Sequence, residues 1–442
     1  MKIKLSDSFT YKKLLRFALP SVVMMVFTSL YGVVDGLFVS NFAGKTAFTA
    51  VNFIMPFIMI LGAVGFMFGA GGSALISKTL GEKKPEKANA LFSLFVYSSF
   101  ALGVVLAVAG VFAIRPIASL LGAEGNMLSD CVLYGRIILI ALPFYMLQFE
   151  FQSFFVTAEK PNLGLAVTVI SGCTNIVLDA LLVGVFKWGV AGAAAATAAS
   201  QVVGGIIPLC YFFRANSSLL RLGKTRFDGK SLVKACTNGS SELLSNISMS
   251  IVSMLYNSQL LRYIGEDGIA AYGVLMYVNF IFFAVYIGYA VGTAPVTGYH
   301  YGAGNYGELK GVLKKSVVII SVTSLIMFGA GEGLAVPMSK IFVGYDTELF
   351  ALTKRAFFIC SFMFLFGGIG VYGSSFFTAL NNGLISALIS FLRTLVFQIA
   401  AVLLLPLVWG VDGIWVSIVA AEFLSAVVTV IFLFAYRKKY RY

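Results

Sequence analysis

The chain has 442 residues, 59% of them hydrophobic and only 12% charged, with a mean hydropathy of +0.92. Soluble domains carry about 25% charged residues, so this composition excludes an ordinary water-soluble domain and points to a chain solvated mainly by lipid. A net charge of +13 would suit a nucleic-acid binder, but the placement of that charge, set out below, excludes that class.

Crossing about 30 Å of hydrocarbon takes roughly 20 apolar residues in a helix. Six such spans are predicted over residues 13–39, 47–77, 89–113, 127–150, 161–185 and 190–213. No cleavable signal is expected, since the N-terminus is polar and basic and the first apolar run is too long for an h-region. The stretch from Arg214 to Lys234 carries six basic residues and reads as a cytoplasmic linker, over 214–235. Six more spans follow at 236–261, 269–299, 314–335, 349–378, 384–407 and 412–436.

The second set repeats the first at a constant shift of 221 residues. Gly44 falls on Gly265, Ala50 on Ala271 and Thr157-Ala158 on Thr378-Ala379. Trp188-Gly189-Val190 falls on Trp409-Gly410-Val411. Six spans per repeat is an even number, so both halves face the same way, related by an axis along the membrane normal as in parallel-repeat carriers. The expected fold is an all-α integral membrane protein: twelve transmembrane helices in two pseudo-symmetric six-helix lobes around a central cleft. The N-lobe is expected over 1–213 and the C-lobe over 236–442. With the N-terminus inside, inner loops and termini hold 23 Lys and Arg, including Lys2, Lys84 and Lys224, whereas outer loops hold seven, including Lys45 and Lys187. That asymmetry places both termini in the cytoplasm and makes the basic charge a topology signal.

Charges at membrane depth are costly and are read first as functional. Asp179 lies about six residues, or roughly 9 Å, below the outer end of the fifth span, and Asp35 sits at a similar depth on the first. Asn175 precedes Asp179 by one helical turn, and Thr197 reaches the same level on the sixth. These oxygens suit a hard monovalent cation; alternatively, the two carboxylates hold a proton, or the four groups form a polar knot that only packs helices. Glu150 on the fourth span and Glu242 on the seventh are candidate substrate carboxylates, each with the alternative of reaching water at the inner surface. Arg393 and Glu422, both near mid-membrane, are placed to form a structural ion pair. Five dispersed cysteines and a single histidine, His300, offer no multi-histidine or CxxC metal site. The 41 Phe, 20 Tyr and 14 Met suit a cavity that repacks around varied lipophilic cations.

Over essentially its whole length the sequence resembles the multidrug and toxic compound extrusion (MATE) transporters, within the flippase superfamily, and its short loops and basic ends resemble their bacterial branch. The likeness is carried by Gly72-Ser73-Ala74 through Leu80-Gly81 and by Gly292-Thr293-Ala294-Pro295 to Tyr301-Gly302-Ala303-Gly304-Asn305. More specific is the set Pro20, Asp35, Asn175, Asp179 and Thr197. The resemblance implies that the last four form an N-lobe cation site and that Pro20 is a hinge in the first helix. The site is not duplicated, since Asp35, Asn175 and Asp179 map to Tyr256, Val396 and Ala400. Some relatives carry acids on both the seventh and tenth spans; here the tenth has none beyond Glu348 at its mouth.

The expected function is therefore a secondary active antiporter, working by alternating access. It would export amphipathic, often cationic compounds in exchange for H⁺ or Na⁺, as a monomer in the bacterial inner membrane. No cofactor is expected, and no metal beyond a coupling Na⁺; without a P-loop the energy must come from an ion gradient. A flippase of a lipid-linked oligosaccharide is the alternative. An embedded enzyme is disfavoured, because no HExxH, GxSxG or Asp-rich diphosphate motif is present.

Overall fold

The structure, a computed structural model, describes residues 3–43 and 45–442. Met1, Lys2 and Gly44 lie outside the described residues, and with them the Gly44–Gly265 match and the Lys2 entry in the basic asymmetry. In hydrocarbon every backbone amide must be satisfied within its own segment, and accordingly each long apolar run is helical. In chain order the helices are α1 (Tyr11–Phe38), α2 (Lys45–Gly81), α3 (Pro85–Leu120), α4 (Gly125–Thr157), α5 (Pro161–Leu178) and α6 (Gly189–Phe213). The second half holds α7 (Gly229–Tyr263), α8 (Glu266–Gly302), α9 (Tyr306–Val343), α10 (Thr347–Cys360), α11 (Met363–Ala379), α12 (Gly383–Phe391) and α13 (Phe397–Tyr440). Three π-helical segments interrupt the ladder: Val39–Ala43 after α1, Asp179–Val185 after α5 and Leu392–Val396 between α12 and α13.

Nine described helices are each long and apolar enough to cross a membrane, and α10 with α11 forms a further span bent by 49°. The run Gly383–Tyr440 is two spans, because Gly410 at φ 56° breaks the helix and lets the chain double back. Its equivalent at the 221-residue shift, Gly189 at φ 55°, opens α6. Only glycine adopts this left-handed turn without a Cβ penalty. The twelfth span is α7, rich in Ser and Asn but 35 residues long.

Each lobe contains two apolar cores stacked along its helices, one near Ile54, Tyr134 and Leu142 and one near Phe92, Phe154 and Phe212 in the first half. The second half has counterparts around Tyr256, Phe357 and Trp415, and around Val312, Phe376 and Tyr440. Leu5 and Phe9 share that last core with Tyr440, so both chain ends lie at one end of the molecule. Within the expected 214–235 linker, α7 starts at Gly229, where the Asp228 carboxylate caps it by accepting from Lys230 N and Ser231 N at 3.1 and 3.2 Å. These bonds hold the Asp228 carboxyl below the usual carboxylate range, the Ser231 hydroxyl contributing most. The segment before it is fastened to α3, with Arg221 N bonding Asn89 Oδ1 at 2.7 Å and Thr225 Oγ1 bonding Ala90 O at 2.8 Å.

The lobes meet through α1 against α8, α2 against α7, and α2 against α8. Glycine makes these crossings close. A Cβ on Gly81 would strike Tyr299 O, and one on Gly302 would strike Lys78 O. Gly81 and Gly302 are themselves related by the 221-residue shift, so the pseudo-twofold axis passes through this crossing. A second contact sets Gly71 against Ala235 and Gly239. All of these lie in the half of the molecule that carries the termini. Beyond Ser29, whose Oγ reaches Phe280 O at 3.5 Å, Gly32 and Gly36 of α1 and Gly273 of α8 have no neighbour within 4 Å, so the close helix contact of the other end is not continued there.

Candidate cation site in the first lobe

Asp35, Asn175, Asp179 and Thr197 converge from α1, α5 and α6. Thr197 Oγ1 donates to Asp35 Oδ1 at 3.5 Å, and Asn175 Nδ2 donates to Thr197 Oγ1 at 3.5 Å. Asp179 adjoins Asp35, carboxyl against carboxyl, and is fully buried. The helices bring the groups together by relaxing locally. Asp35 precedes the π-helical turn Val39–Ala43 by one turn, and Asp179 opens the next. Such turns free backbone groups from the regular ladder and recur at functional positions.

No Lys or Arg forms an ion pair with Asp35 or Asp179 among the described residues. At an effective dielectric of about 20, two unit charges roughly 4 Å apart repel by about 4 kcal/mol. That repulsion is several times the net worth of an ordinary hydrogen bond, so a site with this donor set is stable only with a proton or cation between the carboxyls. Tyr31, one turn before Asp35, and Tyr134 on α4 flank the group, and Tyr31 also faces Gln148. Sequence reasoning did not single these out, although the four-residue spacing of Tyr31 and Asp35 was available to it.

The second lobe is built differently at the equivalent place. Tyr256, at the position of Asp35, donates to Gln398 Oε1 at 2.7 Å and lies 2.8 Å from Ser417 Oγ. The polar groups there satisfy one another. Nearby, Arg393 Nε donates to Glu422 Oε2 at 2.9 Å and Oε1 at 3.2 Å, and its guanidinium carbon sits 5.3 Å from the Phe283 ring centroid. Glu242 faces the same arginine from α7 without an ion-pair contact. Among the described residues, the second lobe thus pairs its buried carboxylate Glu422 with a cation of its own, whereas Asp35 and Asp179 form no ion pair.

Glu150 is separated from this group. It is fully buried, its carboxyl facing Ser99 of α3 and its backbone packed on Gly69 of α2. Pro20 is buried in α1, which stays helical through it; Gly288 of α8 packs against the next residues, Ser21 and Val22.

This arrangement has known relatives. Multidrug export protein MepA of Staphylococcus saprophyticus is 26% identical over 439 residues, covering 98% of this chain and 95% of that one. Its namesake in Staphylococcus haemolyticus is 25% identical over 98% and 95%. Among solved structures, a MATE protein crystallised in complex with MaL6 superposes with a TM-score of 0.93 at 23% identity over 98% of both chains. An outward-facing multidrug resistance MATE transporter gives 0.90 at 23% identity, over 98% of this chain and 97% of that one. The MatE family model matches twice, at residues 20–181 and 243–404, once in each repeat, and on that ground the chain belongs to the MatE family, the MATE transporters.

Proposed function

We propose that the protein is a cation-coupled antiporter that exports amphipathic, often cationic compounds by alternating access, with Asp35, Asn175, Asp179 and Thr197 holding the coupling H⁺ or Na⁺. The observation that carries this reading is the pair of adjoining carboxyls in a lobe without an internal counter-cation, set against a second lobe where Arg393 serves Glu422. A fixed cation cannot be exchanged across a membrane; a missing one must be supplied from solution. The relatives named as multidrug export proteins support cargo of this kind, and the basic asymmetry supports cytoplasmic termini in a plasma membrane. Of the two candidate substrate carboxylates, Glu242 on α7 is partly exposed whereas Glu150 is fully buried, which favours Glu242; Glu150 would serve only in a conformer that opens the first lobe's interior.

The coupling comes from differential binding, since a ligand equally at home in both conformations shifts nothing. Purified protein in proteoliposomes, loaded with ethidium and given pH and Na⁺ gradients separately, tests the proposal. Export should require one of the two gradients and stop when both are dissipated. Export that persists without either refutes antiport. Movement of a lipid-linked precursor, with no dye moved, would replace drug efflux by lipid flipping.

A further inference from the structure

Below the cation group, polar side chains continue along the seam of α4, α5 and α6 toward the end that carries the termini. Ser200 Oγ donates to Thr197 O at 2.9 Å, Ser171 Oγ donates to Ser200 O at 2.7 Å, and Gln148 Nε2 donates to Ser171 Oγ at 3.1 Å. Gln148 then borders a cavity of about 10 Å³ lined also by Gln152, Thr168, Gly164 and Gly204, which is at the lower limit for one water molecule. Gln152 is 3% exposed, yet neither its Oε1 nor its Nε2 has a partner.

A knot that only packs helices satisfies itself, as Tyr256, Gln398 and Ser417 do in the other lobe. The two unpaired amide atoms of Gln152 are costly in a lipid-embedded core and call for water or a passing ion. At the 221-residue shift Gln148 and Gln152 become Ile369 and Gly373. The lobe without the carboxyl pair therefore lacks these two amides as well.

We propose that this seam is a conduit, internal to the first lobe, through which the coupling cation leaves Asp35 and Asp179 for the side of the membrane that holds the termini. The small cavity beside Gln152 is its intermediate water-binding position. The seam ends on a cluster of rings, Phe155 against Phe212 at 5.1 Å and Phe151 against Phe212 at 5.6 Å. In a state with the cleft open at the far end, these rings close the conduit, as coupling demands, since a path open at both ends would dissipate the gradient. The cation then need not cross the closed glycine contacts between the lobes.

The inference rests on the proposed cation site, and its test separates the two. Gln152→Leu fills the cavity with an apolar side chain. The variant should bind ethidium as the wild type does, with the same response of that binding to pH or Na⁺, while gradient-driven export in proteoliposomes falls at least tenfold. Gln152→Asn, which keeps the amide, should restore much of the rate. Export by Gln152→Leu at the wild-type rate overturns the conduit; if that variant does not fold, the nearly isosteric Thr168→Val decides by the same criterion. Asp35→Asn in the same binding assay checks the underlying site: an unchanged ion response there defeats the site itself, whatever the seam variants do.

Discussion

Asp35 and Asp179 adjoin one another without a counter-cation, so on the proposed reading they share one ion and act as a unit. Asp35→Asn and Asp179→Asn should each abolish gradient-driven export, and the double variant should be no worse than either single, because coupled residues are non-additive. Two partial losses that multiply in a proteoliposome assay would show independent roles. The Arg393–Glu422 pair predicts a contrast in stability. Glu422→Gln leaves a guanidinium unpaired in the second lobe and should cost about 3–5 kcal/mol, whereas an apolar double replacement should recover most of that. Thermal unfolding in detergent checks this, and a double variant as unstable as the single one refutes it. At this scale the sequence was informative about depth and silent about rotation. Counting residues put Asp35, Asn175, Asp179 and Thr197 at one level, and polarity alone marked them. Which way Gln148, Gln152 or Glu242 points around its helix depends on packing between helices far apart in sequence, so the seam and the approach of Glu242 to Arg393 stayed hidden.

Helix crossings without side chains between them hold the lobes together. A Cβ on Gly302 would strike the carbonyl of Lys78 on α2, so Gly302→Val should force α2 and α8 apart, at a cost of about 1–3 kcal/mol. Spin labels on the two helices should report a longer distance at the end bearing the termini, while Gly273→Ala, which meets nothing within 4 Å, should leave it unchanged. An unaltered distance in Gly302→Val would show that this contact does not set the lobe angle. The proline in α1 offers a second device. Its missing N–H removes one helical bond and its ring crowds the preceding turn, so α1 bends there at little cost; distances across Pro20 should differ between wild type and Asp35→Asn, and equal distances would make it a static kink. The spans themselves were legible from length and apolar content, the seventh at 236–261 among them. The break within the tenth span between Cys360 and Met363 was not, because the run stays apolar through it, and the early start of α7 at Gly229 was hidden by the basic residues around it.

The whole molecule is two copies of one plan that have diverged inside. The register of 221 residues exposed the duplication, and the structure shows what it means: the same crossing at Gly81 and Gly302, the same left-handed turn at Gly189 and Gly410. Sidedness remains a prediction from charge. A cysteine at Lys187 should react with an impermeant reagent from outside, and one at Lys224 only from inside; reversed labelling would invert the topology.

The Tyr256 knot that replaces the carboxyl site in the second lobe also bears on the energetics of the cycle. On the proposed reading, with one site for a monovalent ion, exchange against a singly charged cargo moves no net charge, so the membrane potential does no work. The chemical gradient alone then sets the ceiling, about 1.4 kcal/mol or a tenfold concentration ratio for each tenfold ion gradient. A potassium diffusion potential imposed on proteoliposomes should leave the final dye ratio where it was, and a neutral cargo should make the same cycle electrogenic.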